Sequence, residues 1–273
     1  MNEESQTSSY TDVDRSQNPQ FFVNCLEEQY AKNSILRLNK ARTLALADIQ
    51  TGHFVLDVGC GTGKDTVQMA ALAGTGHVFG VDFSKEMIAA AKSYAATLDL
   101  PVTFQPGSVY QLNFEDNFFD RCRADKTFQH LADPRAALEE LIRVTKPGGK
   151  IIIAEPDHDS LIIDTPFVDV NHRFMRFRSD HMAQGSIAHQ LYNMFKELGL
   201  KEVGIEPLTS AYTNYEEKKV SSPYLEEIWM AQKHGAVTKE EAENWFAYLR
   251  EAIEHDRFMC LQTYIITTGF KPL

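Results

Sequence analysis

The sequence predicts an α/β fold, a doubly wound and mostly parallel sheet with helices on both faces and helical insertions forming a cap. Three observations carry this. Short apolar or β-branched runs alternate with helix-period patterns between residues 51 and 157. The first run passes directly into a Gly-x-Gly-x-Gly loop that opens a helix. The chain is 273 residues long and 43% hydrophobic, enough for one large core carrying insertions.

Residues 1–20 are rich in Ser, Thr, Asn, Gln and Asp and read as a mobile tail. Residues 21–50 turn helical, with Phe22, Leu26, Tyr30, Leu38 and Leu44 supplying the apolar positions of N-terminal cap helices. The core spans 51–157. Val55 to Val58 is a buried strand, followed by the glycine loop and a short helix over Val67, Ala70 and Ala71. His77 to Asp82 is the second strand, and Ser84 caps a helix with Met87, Ala91, Tyr94 and Leu98 on one face. Val102 to Phe104 is a third strand and Phe119 to Ala124 a fourth, the latter carrying the unusual Arg121 and Arg123. Asp133-Pro134 opens a helix that Lys146-Pro147-Gly148-Gly149 stops, and Lys150 to Ala154 is a strongly apolar fifth strand.

Beyond Glu155-Pro156 the rhythm breaks, and 158–185 reads as a polar insertion. Residues 186–207 return to the core with a helix over Ile187, Leu191, Phe195 and Leu198 and a strand at Glu202 to Ile205. Residues 208–262 form a helical insertion, in which Thr238 with Glu241 has the spacing of a capping box, and 263–273 is the last core strand. Insertions placed before the last strand sit over the carboxyl edge of the sheet, where open α/β folds bind ligands.

A formal net charge of −11 repels a phosphate backbone, so nucleic acid is not the expected partner. Four dispersed cysteines form no C-x-x-C pair, which points to neither a zinc site nor a disulfide framework. The polar start lacks a secretory pattern, and no run approaches the ~20 apolar residues a membrane span needs, so the expected setting is cytoplasmic with no membrane insertion.

Glycines after a buried strand let a ligand approach the backbone closely, and the helix behind them offers free N–H groups. A dinucleotide loop wants Gly-x-Gly-x-x-Gly, but Lys64 stands at its third glycine. A phosphate-binding loop fails on both flanks, at Val58 and Asp65. A plain tight turn is disfavoured by two acids. Asp57 lies inside an apolar strand, and Asp82 ends the next strand at a distance suited to accepting both hydroxyls of a ribose.

Val55-Leu56-Asp57-Val58-Gly59-Cys60-Gly61-Thr62-Gly63 resembles motif I of class I S-adenosylmethionine-dependent methyltransferases. Val81-Asp82-Phe83-Ser84 with Met87 resembles their second motif. Phe119-Asp120 with Phe128-Gln129-His130-Leu131 resembles the fourth-strand region, and Lys146-Pro147-Gly148-Gly149 the turn before the fifth strand. The pattern is most similar to small-molecule enzymes of the ubiquinone/menaquinone and natural-product groups, and it implies a seven-stranded sheet.

The resemblance implies roles residue by residue. Gly59, Cys60, Gly61 and Gly63 would form the cofactor loop, with Asp57 fixing it or the amino group of S-adenosyl-L-methionine. Asp82 would hold the ribose hydroxyls. Phe83 and Met87 would line the adenine pocket, and Gly107, Ser108 and Val109 its edge, with Ser108 where many relatives carry Asp. Asp125 would lie near the methionine carbons, unless it caps the following helix.

Displacement at a sulfonium methyl asks the protein mainly to align the nucleophile and exclude water, so a general base is optional. Glu155 and His158 are the catalytic candidates, with His130 and His172 as further imidazoles. Arg173 and Arg176 could grip an anionic substrate, and the aromatics from Phe167 to Trp245 hint at an apolar chamber under the insertions. No metal-ligand set is evident. The expected reaction is methyl transfer to O, N or C of a small-molecule acceptor, yielding S-adenosyl-L-homocysteine, with a homodimer allowed. The alternative is a non-catalytic sensor or assembly subunit that binds the same cofactor.

Overall fold

The computed structural model describes residues 10–220 and 224–273. A 3-10 turn at Tyr10–Arg15 precedes α1 (Pro19–Lys32) and α2 (Ser34–Ala47). The alternating core follows as β1 (Phe54–Val58), α3 (Lys64–Ala73), β2 (His77–Asp82), α4 (Lys85–Ala95), β3 (Val102–Pro106), β4 (Phe119–Asp125), α5 (Pro134–Val144) and β5 (Thr145–Pro156). Then come β6 (Ile162–Ile163), α6 (Val168–Asp180), α7 (Ile187–Glu197), β7 (Lys201–Tyr212), α8 (Tyr215–Lys219), α9 (Tyr224–Lys233), α10 (Lys239–Glu254) and β8 (Cys260–Phe270).

The sheet runs β3-β2-β1-β4-β5-β8-β6, with β7 on the other edge of β8. Pairs from β3 to β5 are parallel and those made by β8 antiparallel. The expected doubly wound, mostly parallel sheet is therefore present, with the two-residue β6 added to the seven strands read from the sequence. Chain order reverses direction between β1 and β4, which opens a crevice at their carboxyl ends. Leu56, Val58, Ala124, Ile151 and Ile153 pack in one buried cluster with α5 and α7 residues such as Leu138, Leu141, Leu191 and Phe195.

Three elements differ from the sequence reading. The segment 1–20 is not a free tail from Tyr10 onward: Val13 is buried with Phe22, Val23 and Met87, and Asp14 accepts from Ser84 Oγ at 2.5 Å and Lys85 N at 2.8 Å, binding the start of α4. Residues 1–9 lie outside the described residues. The polar stretch 158–185 contains α6, whose Val170, Phe174 and Met175 turn inward while Arg173 and Arg176 lie further out. Its apolar face is narrow, which hid the helical period. β7 extends to Tyr212 rather than ending near Ile205. Among the described residues it pairs only with β8, and an edge strand tolerates Pro207, which in a sequence argues against a strand.

The second core belongs to the cap. Phe174 packs edge-on to Trp245 at 5.2 Å, Tyr215 to Phe258 at 5.4 Å, and Trp229 stands 5.4 Å from Phe246. Thr238 and Glu241 form the expected capping box on α10. Among the described residues no helix is long and apolar enough to cross a membrane.

Candidate active site

A cavity of about 600 Å³ opens at the β1/β4 crevice, within the range of small-molecule sites. Its floor is the glycine loop. Gly59 N–H and Cys60 N–H both reach the carbonyl of Val81, at 2.7 and 3.2 Å, which folds the loop back over the end of β2. Gly59 has φ +69°, and a Cβ there would fall 2.1 Å from Thr127 Oγ1, so only glycine fits between β1 and the loop after β4. Asp82 closes β2 with each carboxylate oxygen accepting one backbone N–H, Gly61 at 2.9 Å and Ser84 at 2.9 Å. Burial raises its pKa against the pull of these two N–H groups. Gly107 N–H donates to the carbonyl of Asp82 at 2.9 Å, which brings Ser108 and Val109 to the same rim. Phe83 is two-thirds exposed at the mouth, while Met87 is buried beneath it.

Asp57, Gly59, Cys60, Gly61, Asp82, Phe83, Met87, Gly107, Ser108, Val109 and Asp125 all line this one cavity. Gly63 lies behind the loop, where a Cβ would meet Phe104 at 2.7 Å and Ala91 at 2.9 Å. It starts α3 rather than facing the cavity.

Beneath the loop lies a buried charge centre. β1 and β4 are in register at Asp57 and Arg123. Arg123 donates to Asp57 at 3.1 Å, to Asp65 at 2.8 Å, to Thr43 and to Asp125, whose other oxygen accepts from Tyr264. Lys40 adds an ion pair to Asp65 at 2.6 Å. Burial alone would raise Asp65, but Lys40 and Arg123 outweigh it and hold it near 2. For Asp57 burial wins over Arg123 and Thr66, and its pKa rises. Asp57 is thus a structural anchor of the loop through Arg123 and through Thr66 at 2.6 Å.

The two catalytic candidates do not reach the cavity. Glu155 is fully buried and accepts from Thr127 N–H at 2.7 Å and Phe128 N–H at 2.6 Å, so it holds the loop after β4 instead of facing an acceptor. Burial, opposed by the Phe128 N–H and aided by Asp125, lifts it to about 8, and it is mostly protonated at neutral pH. His158 is hydrogen-bonded to Gln129 at 2.7 Å, and burial with Arg178 pulls it to about 3, leaving a weak base walled off behind that loop. Glu155→Gln is accordingly expected to be nearly neutral to stability at pH 7. Glu155→Ala, which orphans two N–H groups, should cost about 1–3 kcal/mol, measured by urea unfolding. Because the folded pKa is raised from 4.5 to about 8, the wild type binds more protons folded than unfolded in that window. It should lose stability as pH rises through the window, a slope the Gln variant lacks.

Arg173 pairs with Glu241 at 2.6 Å and Arg176 with Asp180 at 2.8 Å, neither lines the cavity, and Phe167, Phe174, Phe177, Tyr212, Tyr215 and Trp245 pack in the cap's own core. The cavity wall is built by the N-terminal cap segment and by the loop after β4, where the sequence reading marks His130 but not Lys126. Tyr10, Gln29, Tyr30, Leu36 and Lys40 come from the N-terminal elements, and Lys126 and His130 from the loop after β4. His130, against Tyr10 at 5.8 Å, is drawn down to about 4 by burial and by Lys126.

A doubly wound sheet with a glycine loop on β1 and an acid closing β2 defines a nucleoside-binding α/β protein. The chain belongs to the methyltransferase domain family, whose model matches residues 49–248. It is 36% identical over 188 residues to an uncharacterised 37.1 kDa protein in transposon TN4556 of Streptomyces fradiae, covering 68% of this chain and 54% of that one. It is also 33% identical over 149 residues to a ubiquinone/menaquinone biosynthesis C-methyltransferase of Bdellovibrio bacteriovorus, covering 51% of this chain and 63% of that one. Both matches thus span less than two thirds of the relatives' length. A phosphoethanolamine N-methyltransferase 2 of Haemonchus contortus, solved with phosphomonomethylethanolamine and S-adenosylhomocysteine, shares the fold at TM-score 0.62 and 21% identity, covering 98% of this chain and 61% of that one.

Proposed function

We propose that the protein is an S-adenosylmethionine-dependent methyltransferase acting on O, N or C of a small-molecule acceptor, in the cytoplasm. The observation that carries this is Asp82. A carboxylate offers about four acceptor positions, and its two backbone hydrogen bonds leave others for a diol at the rim of a cavity floored by glycine backbone. In this reading Asp82 takes the ribose hydroxyls, and Phe83, Met87, Ser108 and Val109 receive the adenine. Gly59, Cys60 and Gly61 accommodate the methionine portion. The cofactor supplies an electrophilic methyl on a sulfonium that leaves readily. The chain's part is to bind, orient and exclude water, which the N-terminal wall over the cavity supports. Relatives named as a ubiquinone/menaquinone biosynthesis C-methyltransferase and a demethylmenaquinone methyltransferase favour a quinone-like acceptor.

The sensor reading draws support from the seclusion of Glu155 and His158, which leaves the cavity without a strong base. Incubation with S-adenosyl-L-methionine and a panel of phenols, carboxylic acids, amines and carbon acids separates the two. Formation of S-adenosyl-L-homocysteine with at least one acceptor is the expected result. Saturable cofactor binding without turnover across the panel would give the protein to the sensor class.

A further inference from the structure

Among the described residues, four Lys and Arg side chains line the cavity: Lys40, Lys64, Arg123 and Lys126. Three are matched by carboxylates. Lys40 pairs with Asp65 and Asp125, Lys64 with Glu27 at 3.0 Å, and Arg123 with Asp57, Asp65 and Asp125. Lys126 forms no ion pair among the described residues. Its ammonium donates once, to Gln29 Oε1 at 2.9 Å, and an ammonium has three N–H donors.

Its placement is costly and enforced. Lys126 has φ +55°, a left-handed backbone conformation that residues other than glycine adopt rarely. The neighbouring contacts impose it: Lys126 N–H donates to Ala154 O at 2.9 Å, and Glu155 grips the next two N–H groups. Strain retained in this way concentrates at ligand clamps. Burial, aided by Lys40, lowers its pKa to about 8 against the pull of Asp125, Glu155 and Asp65, and Leu36, Tyr30, Tyr10 and His130 line the same cavity.

We infer that Lys126 is a specificity-determining residue that binds an acidic oxygen of the acceptor, a phenolate, enolate or carboxylate on an otherwise apolar body. The acceptor's proton passes to solvent on binding, and its oxyanion takes the ammonium donors that the protein leaves unused. This rests on the methyltransferase reading for the identity of the cavity's other half, and the test keeps the two apart.

The protein is first saturated with S-adenosyl-L-homocysteine; failure at that stage is failure of the methyltransferase reading. Two probe pairs are then titrated, benzoate against benzamide by calorimetry and para-nitrophenol against nitrobenzene by absorbance, below the ordinary pKa of the phenol. The expected result is at least a tenfold preference for one anion-forming probe over its neutral partner. Binding of para-nitrophenol would develop the colour of the phenolate, whereas preference for benzoate alone would assign a carboxylate. In Lys126→Met the preference should fall to about one, and Lys126→Arg should retain most of it, with thermal melts showing both variants folded. Equal binding of charged and neutral probes, no probe binding to the cofactor-loaded protein, or a preference that survives in Lys126→Met would each overturn the inference.

Discussion

Replacing Arg123 with methionine is expected to lower the unfolding free energy by about 3–5 kcal/mol, the cost of removing one partner from a buried ion group. The guanidinium is 2% exposed and is shared by Asp57, Asp65 and Asp125, themselves nearly buried. Lys40 would still serve Asp65, but Asp57 would keep only Thr66, and Asp125 chiefly Tyr264 and the longer Lys40 contact at 3.5 Å. Stranded carboxylates take up protons, so their folded pKa values rise and the variant should bind more protons folded than unfolded above the ordinary carboxylate range. The deficit against wild type should therefore be largest near pH 7 and shrink as pH falls toward 5. Asp65 in the wild type has the opposite sign. Its folded pKa is lowered from 3.8 to about 2, so its contribution is present above 3.8 and lost as pH falls through that interval. Urea unfolding of both proteins at two pH values measures this, and a deficit below about 1 kcal/mol at pH 7 would mean that the centre is solvated.

Asp82→Ala is expected to weaken binding of S-adenosyl-L-homocysteine by about 1–3 kcal/mol, roughly 5–150-fold, through loss of charge-assisted acceptors for a diol. The substitution also frees Gly61 N–H and Ser84 N–H, which loosens the loop at both ends of the nucleoside site. Asp82→Asn keeps an acceptor and should fall between the two. Since burial raises the Asp82 pKa, wild-type affinity should decline on acidification as the carboxyl protonates, with the charged form favoured again as pH rises. Calorimetry across pH reads both effects, and unchanged affinity in Asp82→Ala would remove the ribose from this acid.

Much of the nucleoside half was legible because it is local. Gly59 to Gly63 and Asp82 sit on consecutive βα units, and glycine conformations and strand-end acids leave a mark within a short window. The buried charge centre was half legible. Arg123 stood out inside an apolar strand as Asp57 did in another, but only the parallel register of β1 and β4 makes them neighbours. Glu155 misled because its position at a strand's carboxyl end suits catalysis, while its carboxyl turns to the backbone of Thr127 and Phe128. The wall beside Lys126 was legible only as cap helices over 21–50 and as His130, without their meeting. Tyr10, Gln29 and Tyr30 converge on Lys126 and His130 across about 100 residues of chain through tertiary packing, and no periodicity records such a meeting.

A crystal structure of the protein soaked with S-adenosyl-L-homocysteine tests the central claim most directly. The account predicts the ribose hydroxyls within hydrogen-bond reach of Asp82, the adenine between Phe83, Met87 and the Ser108–Val109 edge, and the sulfur facing Lys126 and His130. Density for the ligand anywhere else, or none at full soaking concentration with the cavity open to solvent, would contradict it.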